Sequence, residues 1–443
     1  MQLEEIKKIA REYGVVGAGG AGFPSYAKMT DKADTVILNC VECEPLLKLH
    51  RQLLAEHTRE IVGMLDEVRQ IFGAKEAVIG IKSEYVTTIE ALEGVLKDYD
   101  SVRMEKVTPA YPMGDEVILI YEATGRVIRP GGIPAEENVV VYNVETMYNL
   151  YRAVYKEEPV TDKLVSIVGE VTDPVTLRLP IGTTVKEAVK LAGDVTVEDP
   201  VYLMGGPMMG FRGDSDTVIK KTTNAIIVLG RDHPVIMKLD KNLDVERRRA
   251  SSACCQCRTC TDLCSRHALG HPIEPHRIMR AVANQDVSDL SVFMNAAYCS
   301  GCGICEKYAC PQGLSPKTII QEFKAGLRKA GISAGNPESA PVDPDREYKK
   351  VPVHRLASRL GLTKYDVKAP LDEKPHDIRE VRIPLSQHIG APARAVVSKG
   401  DQVKKGQLIG EPAEGLSVGI HSSIDGVVDN VYDKEIVIVR REA

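Results

Sequence analysis

Two cysteine-rich stretches, CCQCRTCTDLC (254–264) and CSGCGICEKYACP (299–311), decide how this sequence folds. The first has the spacing C-x2-C-x2-C-x3-C, and the second has C-x2-C-x2-C-x4-C followed by a proline. Three thiolates separated by two-residue gaps can surround one corner of an iron–sulfide cubane, and a more distant cysteine completes the ligand set. The pair of motifs therefore predicts a compact module that holds two [4Fe-4S] clusters.

The fourth ligand of each cluster is expected to come from the other motif, as it does in two-cluster ferredoxins. This exchange would draw the clusters together, which suits electrons that move from one cluster to the next. The first predicted ligand set is Cys254, Cys257, Cys260 and Cys310, and the second is Cys264, Cys299, Cys302 and Cys305.

Zinc is the alternative metal, because four thiolates at C-x2-C spacing also bind it. Three cysteines at successive two-residue gaps exceed the needs of a zinc knuckle, which favours iron and sulfide. The sequence departs from the ferredoxin pattern at Ser265, where a proline usually follows the fourth cysteine, and by one extra residue before Cys310. Cys255 is left over, since Cys254 keeps the two-residue gap to Cys257.

The composition indicates a folded, multidomain protein and excludes several classes. The 443 residues correspond to about three domains of roughly 150 residues. The 57 Lys and Arg against 62 Asp and Glu leave a net charge of −5 without a basic block, so nucleic acid is not an expected partner. No run approaches 18 apolar residues and the N-terminus lacks a secretory signal, so direct membrane insertion is not expected. Clustered cysteines indicate metal binding in the reducing cytoplasm.

Changes of pattern on either side of the cysteines divide the chain into segments. Upstream, helices alternate with β-rich runs, and a pattern of short strands with one helix follows. Downstream, a stretch rich in Pro, Gly and charge precedes short strands separated by turns. The predicted fold is multidomain α/β and α+β, with an α/β domain at 1–160, a β-grasp domain at 161–235, a helical ferredoxin-like dicluster module at 245–330, a linker with a short helix at 331–375, and a β sandwich or flattened barrel at 376–443.

A glycine-rich loop, GVVGAGGAGFP (14–24), follows the first predicted helix. Glycine lets backbone N–H groups approach a phosphate without obstruction by Cβ, and Lys28 follows at a distance where an ammonium could neutralise the phosphate. A tight turn required only by packing explains the loop equally well. No strand precedes the loop, so it is not a Rossmann fingerprint.

Polar residues follow the predicted strand TVILN, in the stretch NCVECEP (39–45). The carboxyl ends of strands are where α/β sheets bind ligands, so Asn39, Glu42 and Glu44 are candidate site residues. Taken in isolation, a solvated turn is the simpler explanation of these side chains.

Four motifs occur in a fixed order along the N-terminal part of the chain. They are G-x-G-G-x-G-F-P-x3-K (17–28), N-x2-E-x-E-P (39–45), Y-x2-G-(D/E)-E (111–116) and N-V-E-T (143–146). In this order they resemble the NADH-binding flavoprotein subunit of respiratory complex I.

A second set of stretches carries a closer resemblance. These are ECEP (42–45), YPMGDE (111–116), GGPMMG (205–210) and, after them, the two cysteine motifs. They resemble the C subunit of the Rnf electron-transport complex and its soluble relative, the cobalamin reductase of propanediol-utilisation microcompartments. The β-grasp segment is similar to the soluble-ligand-binding domain of these families. The C-terminal segment is similar to their barrel-sandwich domain, and to lipoyl carriers, but 413–423 contains no carrier lysine.

The resemblance implies a Rossmann-like α/β domain that binds FMN and NADH. Glu42 and Glu44 would lie beside the flavin and the nicotinamide. Complex I subunits carry Asp where this chain has Val41, so the flavin geometry of complex I is not transferred unchanged. The implied flavin ligands are Gly17, Gly19, Gly20, Gly22, Lys28, Asn39 and Asn143.

The predicted function is an NADH-dependent oxidoreductase of the cobalamin reductase type. NADH would reduce FMN, and single electrons would pass through the two clusters to cob(III)alamin or cob(II)alamin. A flavin is needed because hydride carries two electrons and each cluster accepts one. No catalytic residue is predicted, since the redox cofactors carry the chemistry. The alternatives are a non-enzymatic iron–sulfur electron conduit or adaptor, and an Rnf-type subunit of a membrane redox complex.

The expected partners are NADH and a corrinoid or protein electron acceptor. A corrinoid adenosyltransferase and a microcompartment shell protein are further expected partners, which would place the protein in the cytoplasm within a bacterial microcompartment. His267, His271 and His276 lie between the cysteine motifs. We predict hydrogen-bonding roles for them, because glycine and prolines interrupt the helical register there.

Overall fold

The first unit is built on a parallel sheet in the structure, a computed structural model that describes residues 1–440. The strands run in parallel because their Val- and Ile-rich sequences are buried on both faces by helices. The elements of this unit are α1 (Leu3–Glu12), β1 (Thr35–Cys40), α2 (Leu49–Glu56), α3 (Thr58–Phe72), β2 (Glu76–Lys82), α4 (Val86–Val95), β3 (Val102–Val107), β4 (Ala110–Tyr111), α5 (Glu116–Thr124), β5 (Val139–Asn143) and α6 (Val144–Tyr155), with 3-10 helices at Ser25–Lys28, Leu96–Asp98 and Pro134–Glu137.

The strand order of this sheet is β3-β2-β1-β5. The chain extends the sheet to one side from β1 to β3 and then crosses to the other side of β1 to form β5. The register pairs Asn39 with Asn143 at the carboxyl ends of β1 and β5. Open α/β sheets bind ligands at such a switch in direction. The predicted Rossmann-like α/β fold is confirmed.

The second unit is a mixed sheet with one helix across it, as predicted for a β-grasp domain. Helix α7 begins where the Thr184 side chain accepts a hydrogen bond from the backbone N–H of Glu187, and its apolar side chains pack on the sheet. The elements are β6 (Asp162–Gly169), β7 (Val175–Pro180), α7 (Val185–Lys190), β8 (Pro200–Met204), β9 (Phe211–Gly213) and β10 (Ala225–Gly230).

Short helices around a small apolar core form the third unit, which carries both cysteine motifs. The core includes Ile278, Ile319 and Ile320, and four of the motif cysteines pack against it. The elements are α8 (Pro234–Met237), α9 (Leu243–Ala253), α10 (Thr259–Asp262), α11 (Ser265–Ala268), α12 (Pro275–Asn284), α13 (Leu290–Met294), α14 (Ile304–Lys307) and α15 (Pro316–Lys329), with a 3-10 helix at Asn295–Tyr298.

Residues 346–372, within the predicted linker, form a packed strap across the first two units. Strand β11 pairs with β4 and β12 pairs with β7. Val351, Leu356 and Leu360 are buried in a core shared with the β-grasp sheet, so this part of the linker is packed against the rest of the chain. The elements are β11 (Val351–Pro352), α16 (Val353–Arg359) and β12 (Leu371–Asp372), with 3-10 helices at Arg346–Lys349 and Thr363–Tyr365.

The C-terminal unit consists of two small antiparallel sheets, as predicted for a barrel-sandwich domain. Its strands are β13 (Glu380–Pro384), β14 (Arg394–Ala395), β15 (Gln402–Val403), β16 (Leu408–Glu411), β17 (Ile420–His421), β18 (Gly426–Val431) and β19 (Glu435–Val439). The strand orders are β13-β19-β18-β15 and β14-β16-β17. Residues 1–440 contain no helix with the length and apolar character needed to span a bilayer.

The C-terminal unit lies against the glycine-rich loop of the first unit. The N–H of Gly419 donates to the carbonyl of Arg11 at 3.0 Å, and the N–H of Ile389 donates to the carbonyl of Gly22 at 3.2 Å. The buried ammonium of Lys221 donates to carbonyl oxygens of both units, at 2.7 and 3.2 Å. The unit is therefore fixed to the rest of the chain by backbone hydrogen bonds.

Candidate functional site

The ends of β1 and β5 present two asparagine side chains to one cleft. Asn143 accepts a hydrogen bond from the N–H of Glu145 at 2.9 Å and so caps α6. Asn39 donates to the carbonyl of Gly114 at 2.9 Å and accepts from the N–H of Val41 at 3.0 Å. Both amides are held in place by backbone groups, which makes this edge of the cleft rigid.

The structure brings part of the predicted flavin set together in this cleft. The predicted residues that line it are Gly19, Asn39, Glu42, Glu44 and Asn143. The other predicted residues, Gly17, Gly20, Gly22 and Lys28, do not line it. The cleft is completed by side chains of the β-grasp unit and the dicluster module, among them Met209, Asn224 and Cys302.

Gly19 allows the glycine-rich loop to approach Asn143 closely. A Cβ at Gly19 would lie 2.6 Å from Nδ2 of Asn143, whereas a Cβ at Gly20 would meet no atom within 4 Å. Lys28 does not face a free anion site in this arrangement, because its ammonium pairs with Glu116 at 3.1 Å. The close packing against Asn143 explains why the loop has a glycine at position 19.

Glu42 is engaged by the backbone at the start of α2. Its carboxylate accepts from the N–H groups of His50 at 2.9 Å and Arg51 at 3.3 Å. Negative charge at the start of a helix is favourable there. Glu42 therefore has a structural role in shaping the cleft wall that it lines.

Glu44 reaches the glycine-rich turn GGPMMG of the β-grasp unit. One carboxylate oxygen accepts from the N–H of Met208 at 2.7 Å, and the other is buried without a hydrogen-bond partner. Gly206 leaves the space for this contact, since a Cβ there would lie 2.2 Å from Cδ of Glu44. Burial raises the pKa of Glu44 to about 7, although the N–H of Met208 and the charge of Lys307 both act to lower it. This carboxyl can hold or release a proton near neutral pH.

The cleft has the polar chemistry that a flavin requires. Two buried polar atoms of its lining residues lack a hydrogen-bond partner within residues 1–440, and they are Oε1 of Glu44 and Oδ1 of Asn224. Buried polar groups are normally hydrogen-bonded, and a bound ligand with ring N–H and carbonyl groups would supply the missing partners. The residues present therefore fit FMN, whose ring system carries both kinds of group.

His50 connects the cleft to a buried ion pair that the sequence did not reveal. Its ring nitrogens lie 3.8 Å from Glu42 and 3.6 Å from Glu145. Glu145 in turn pairs with Lys163 of β6, and both side chains are buried. Burial opposes ionisation of Glu145, but Lys163 and His50 outweigh it and lower the pKa to about 2. Glu145 lies in the NVET motif, and this motif was the sequence pattern that could have drawn attention to the ion pair.

The structure brings the first predicted cysteine set together across the two motifs. Burial raises the pKa of Cys260 to about 12, and the neighbouring thiols Cys310, Cys257 and Cys254 raise it further. Thiolates crowded in this way are unfavourable without a cation, which is what the iron of a cluster supplies.

The second predicted set gathers in the same manner. Burial followed by the charge of Cys299 raises the pKa of Cys264 to about 11. Burial and then Cys264 raise the pKa of Cys302 to about 12, and Cys305 is raised well above its ordinary value by burial and the same neighbours. The N–H of Gly301 donates to Cys299 at 3.3 Å, a bond of the kind that tunes cluster sulfurs. The chemistry of both cysteine sets fits iron–sulfur clusters.

The second set shares a wall with the flavin cleft. Cys302 lines the cleft, and the hydroxyl of Tyr111 donates to its carbonyl at 2.5 Å. A bidentate ion pair between Arg266 and Asp115, at 2.8 and 2.9 Å, joins the two units beside it. The sequence marked Tyr111 and Asp115 only as members of a motif, because their partners lie more than 150 residues away.

The histidines between the cysteine motifs make hydrogen bonds at two positions. His271 contacts the carbonyl of Ile128 at 2.8 Å, and His276 contacts the hydroxyl of Thr261 at 2.8 Å. Both contacts agree with the hydrogen-bonding roles predicted for them.

Domain families match the chain in the predicted order. The Nuo51 FMN-binding domain matches residues 10–152, the SLBB domain 164–212, the 4Fe-4S dicluster domain 253–315 and the RnfC barrel sandwich hybrid domain 366–441. These matches confirm the predicted kinds of domain, including the barrel-sandwich domain at the C-terminal end.

Two characterised relatives align with nearly the whole chain. The cobalamin reductase PduS of Salmonella typhimurium (strain LT2) is 39% identical, over 99% of this chain and 97% of the relative. The cobalamin reductase PduS of Citrobacter freundii is 38% identical, also over 99% and 97%. The solved structure of an NAD+-reducing [NiFe]-hydrogenase in the air-oxidized state has a TM-score of 0.49 and 19% identity, covering 85% of this chain and 68% of that chain. By its identity to the two reductases, the chain belongs to the cobalamin reductase PduS family.

Proposed function

We propose that the protein is an NADH-dependent reductase that delivers electrons through FMN and two [4Fe-4S] clusters to a corrinoid. The observation that carries the proposal is the wall that the flavin cleft shares with the second cysteine set, at Cys302. When bound, FMN supplies the conversion of a two-electron hydride into single electrons, and the clusters supply one-electron carriage. Family membership supports the corrinoid as acceptor.

In this proposal, the chain's own residues position the flavin and exclude water. Asn39 and Asn143 border the flavin ring with fixed amides, and Gly19 permits the loop to close on Asn143. Glu44 offers a carboxyl that is able to exchange a proton near pH 7 beside the nicotinamide. Gly17, Gly20 and Gly22 remain proposed phosphate-side residues, and Glu42 remains proposed beside the ring. Lys28 remains proposed at the phosphate, which would have to replace Glu116 as the partner of its ammonium.

The proposed cluster ligands follow the two cysteine sets. Cys264, Cys299, Cys302 and Cys305 would hold the cluster next to the flavin. Cys254, Cys257, Cys260 and Cys310 would hold the cluster nearer the surface, since Cys257 is exposed whereas Cys305 is buried. This order leads from the cleft, through the dicluster module, to the solvent side.

An anaerobic titration with NADH tests the proposal. Purified protein supplemented with FMN is titrated while the flavin and iron–sulfur absorbance bands are followed together. We expect stoichiometric NADH to bleach both bands, and hydroxocobalamin added afterwards to restore them as it is reduced. If dithionite bleaches the clusters while NADH leaves both bands unchanged, the reductase proposal fails and an electron conduit takes its place.

Iron content tests the ligand sets with a matched pair of cysteine variants. Two clusters correspond to about eight iron atoms per chain. Cys302→Ser is expected to lose about half of the iron, and Cys255→Ser, at the spare thiol, is expected to lose none. Equal iron loss in the two variants would contradict the ligand sets.

The resemblance extends the proposal to location and protein partners. We place the protein in the cytoplasm, enclosed in a bacterial microcompartment, next to a corrinoid adenosyltransferase and a shell protein. Co-purification of the tagged protein with an adenosyltransferase from cells that assemble such compartments would support this, and its recovery free of shell proteins would contradict it.

A further inference from the structure

A second cleft lies between the strap and the dicluster module, apart from the flavin cleft. Its cavity volume is ≈ 580 Å³. The two clefts share no lining residue. The residues that line it are Thr259, Leu263, Tyr308, Ala309, His354, Arg355, Ser358 and Arg359.

One wall of this cleft consists of the chain that carries the cluster cysteines. Thr259 and Ala309 directly precede Cys260 and Cys310, two members of the first cysteine set. Leu263 directly precedes Cys264 of the second set. A molecule bound in this cleft would therefore lie against the backbone of both sets, on the outer side of the dicluster module.

The opposite wall is the exposed face of α16, which is basic and unpaired. His354, Arg355 and Arg359 are exposed, while Leu356 and Leu360 on the other face are buried. Within residues 1–440, neither guanidinium forms an ion pair with a carboxylate. An isolated arginine on a helix is ordinarily a solvated residue, but two that border a cleft are arranged to meet an anion.

Lys238 adds a third positive group to the same region. Burial lowers its pKa, and the charges of Lys241 and Arg359 lower it further. The carboxylate that acts on Lys238 in the opposite direction, Glu306, is already bound to Lys241 at 2.8 Å and to the N–H of Thr318 at 2.9 Å. Like charges gathered without a free acid are unfavourable until an anion joins them.

We propose that this cleft binds the corrinoid acceptor through its phosphodiester, with Arg355 and Arg359 as the phosphate-binding residues. The inference rests on the proposed function, which names a corrinoid as the acceptor. Cobalamin carries one phosphodiester, between the corrin side chain and the nucleotide base, and its remaining periphery is neutral amide. A planar guanidinium pair recognises such a phosphate with directed hydrogen bonds, and His354 and Ser358 offer further donors to amide oxygens.

The test compares cobalamin with cobinamide, a corrinoid that lacks the phosphodiester and the base. Equilibrium dialysis of hydroxocobalamin and of diaquocobinamide against oxidised holoprotein gives the affinity of each. For Arg355→Ala/Arg359→Ala we expect cobalamin binding to weaken by at least about tenfold, since each guanidinium contributes a charge-assisted hydrogen bond. Cobinamide binding should stay within about twofold of the wild type. Arg394→Ala/Lys399→Ala, on exposed residues of the C-terminal unit, is the matched control and should bind both ligands normally.

FMN and iron content and bleaching by NADH are measured on the same samples, which separates this inference from the proposed function. Normal bleaching with unchanged cobalamin affinity in the arginine variant would overturn the binding site and leave the reductase intact. Equal weakening for cobalamin and cobinamide would overturn phosphate recognition. If the wild type binds no free cobalamin, and the arginine variant instead loses binding to an adenosyltransferase, the cleft is a protein-docking surface and the inference is overturned.

Discussion

Replacement of Lys163 by Met should destabilise the fold by an amount set by its buried ion pair. The side chains of Lys163 and Glu145 are 1% and 0% exposed. Met keeps the length of the side chain but removes the charge, which leaves a buried carboxylate with His50 at 3.6 Å. Removal of one partner from a buried ion pair lowers the free energy of unfolding by about 3–5 kcal/mol, because the remaining charge is desolvated and unpaired. At about 1.4 kcal/mol per tenfold change, the ratio of folded to unfolded protein should fall by two to four orders of magnitude.

The loss of stability in Lys163→Met should also depend on pH, and it should be smaller at low pH than at high pH. In the wild type the pKa of Glu145 is about 2, so the stability from this group is fully present above pH 4.5 and is lost only as the pH falls below it. Without Lys163, we expect burial to outweigh the two remaining partners, His50 and the N–H of Leu164, and so to raise the pKa of Glu145 above its ordinary 4.5. A carboxyl with a raised pKa loses stability as the pH rises through that value. The variant should therefore be closer to the wild type at pH 5.5 than at pH 8.

Urea unfolding followed by far-UV circular dichroism at both pH values measures this effect. Lys106→Met, which breaks the exposed pair with Glu93 on the same domain, is the control and should cost no more than about 1 kcal/mol. Lys163→Met combined with Glu145→Gln should recover much of the loss, because no charge remains buried and the Gln carbonyl can still accept from the N–H of Leu164. The reasoning is refuted if Lys163→Met unfolds at the same urea concentration as Lys106→Met, or if the double variant is less stable than the single one.

The remaining predictions concern the flavin cleft and its link to the clusters. Gly19→Ala should weaken FMN binding by roughly 5- to 150-fold in a fluorescence titration, because the methyl group displaces Asn143 at a cost of about 1–3 kcal/mol, whereas Gly94→Ala, on the exposed side of α4 where a Cβ meets no atom within 4 Å, should bind normally. Glu44→Gln should match the wild-type rate of flavin bleaching by NADH at pH 6 and diverge from it at pH 8, since Gln resembles the carboxyl that is protonated below its pKa of about 7; parallel pH profiles would contradict this. Arg266→Met should keep its FMN and iron but show slower cluster bleaching than flavin bleaching in stopped-flow traces, because the ion pair that joins the two units is lost.

Local sequence patterns were sufficient to predict the parallel sheet and the dicluster module. The β1 and β5 sequences each contain a continuous run of apolar residues, which distinguishes buried parallel strands from alternating ones. Cysteine spacing is a property of a few residues, so the spacing could predict a dicluster module, and the exchange of fourth ligands between the motifs was expected from two-cluster ferredoxins. Asn39 was predicted from its place at the end of a strand and Asn143 from the family resemblance, and the register of β1 and β5 places the two side by side.

Local sequence patterns could not predict the contacts between distant segments of the chain. The strap pairs through strands of two residues, too short for any periodicity, with partners about 200 residues away. Lys28 was predicted to neutralise a phosphate because it follows the glycine-rich loop closely in the sequence. In the structure its ammonium donates to the carboxylate of Glu116, 88 residues further along the chain. His50 follows no motif, and its position between two carboxylates depends on how α2 packs against α6.

The contact between the C-terminal unit and the glycine-rich loop sets an order for biosynthesis. The loop leaves the ribosome among the first 25 residues. Two residues that cover this region are translated last: Ile389, whose N–H donates to the carbonyl of Gly22 in the loop, and Gly419, whose N–H donates to the carbonyl of Arg11 in α1. A nascent chain therefore carries this loop uncovered until synthesis is nearly complete. A message truncated after the cysteine motifs would therefore yield a chain with both cysteine sets and every residue that lines the flavin cleft, but with its glycine-rich loop uncovered.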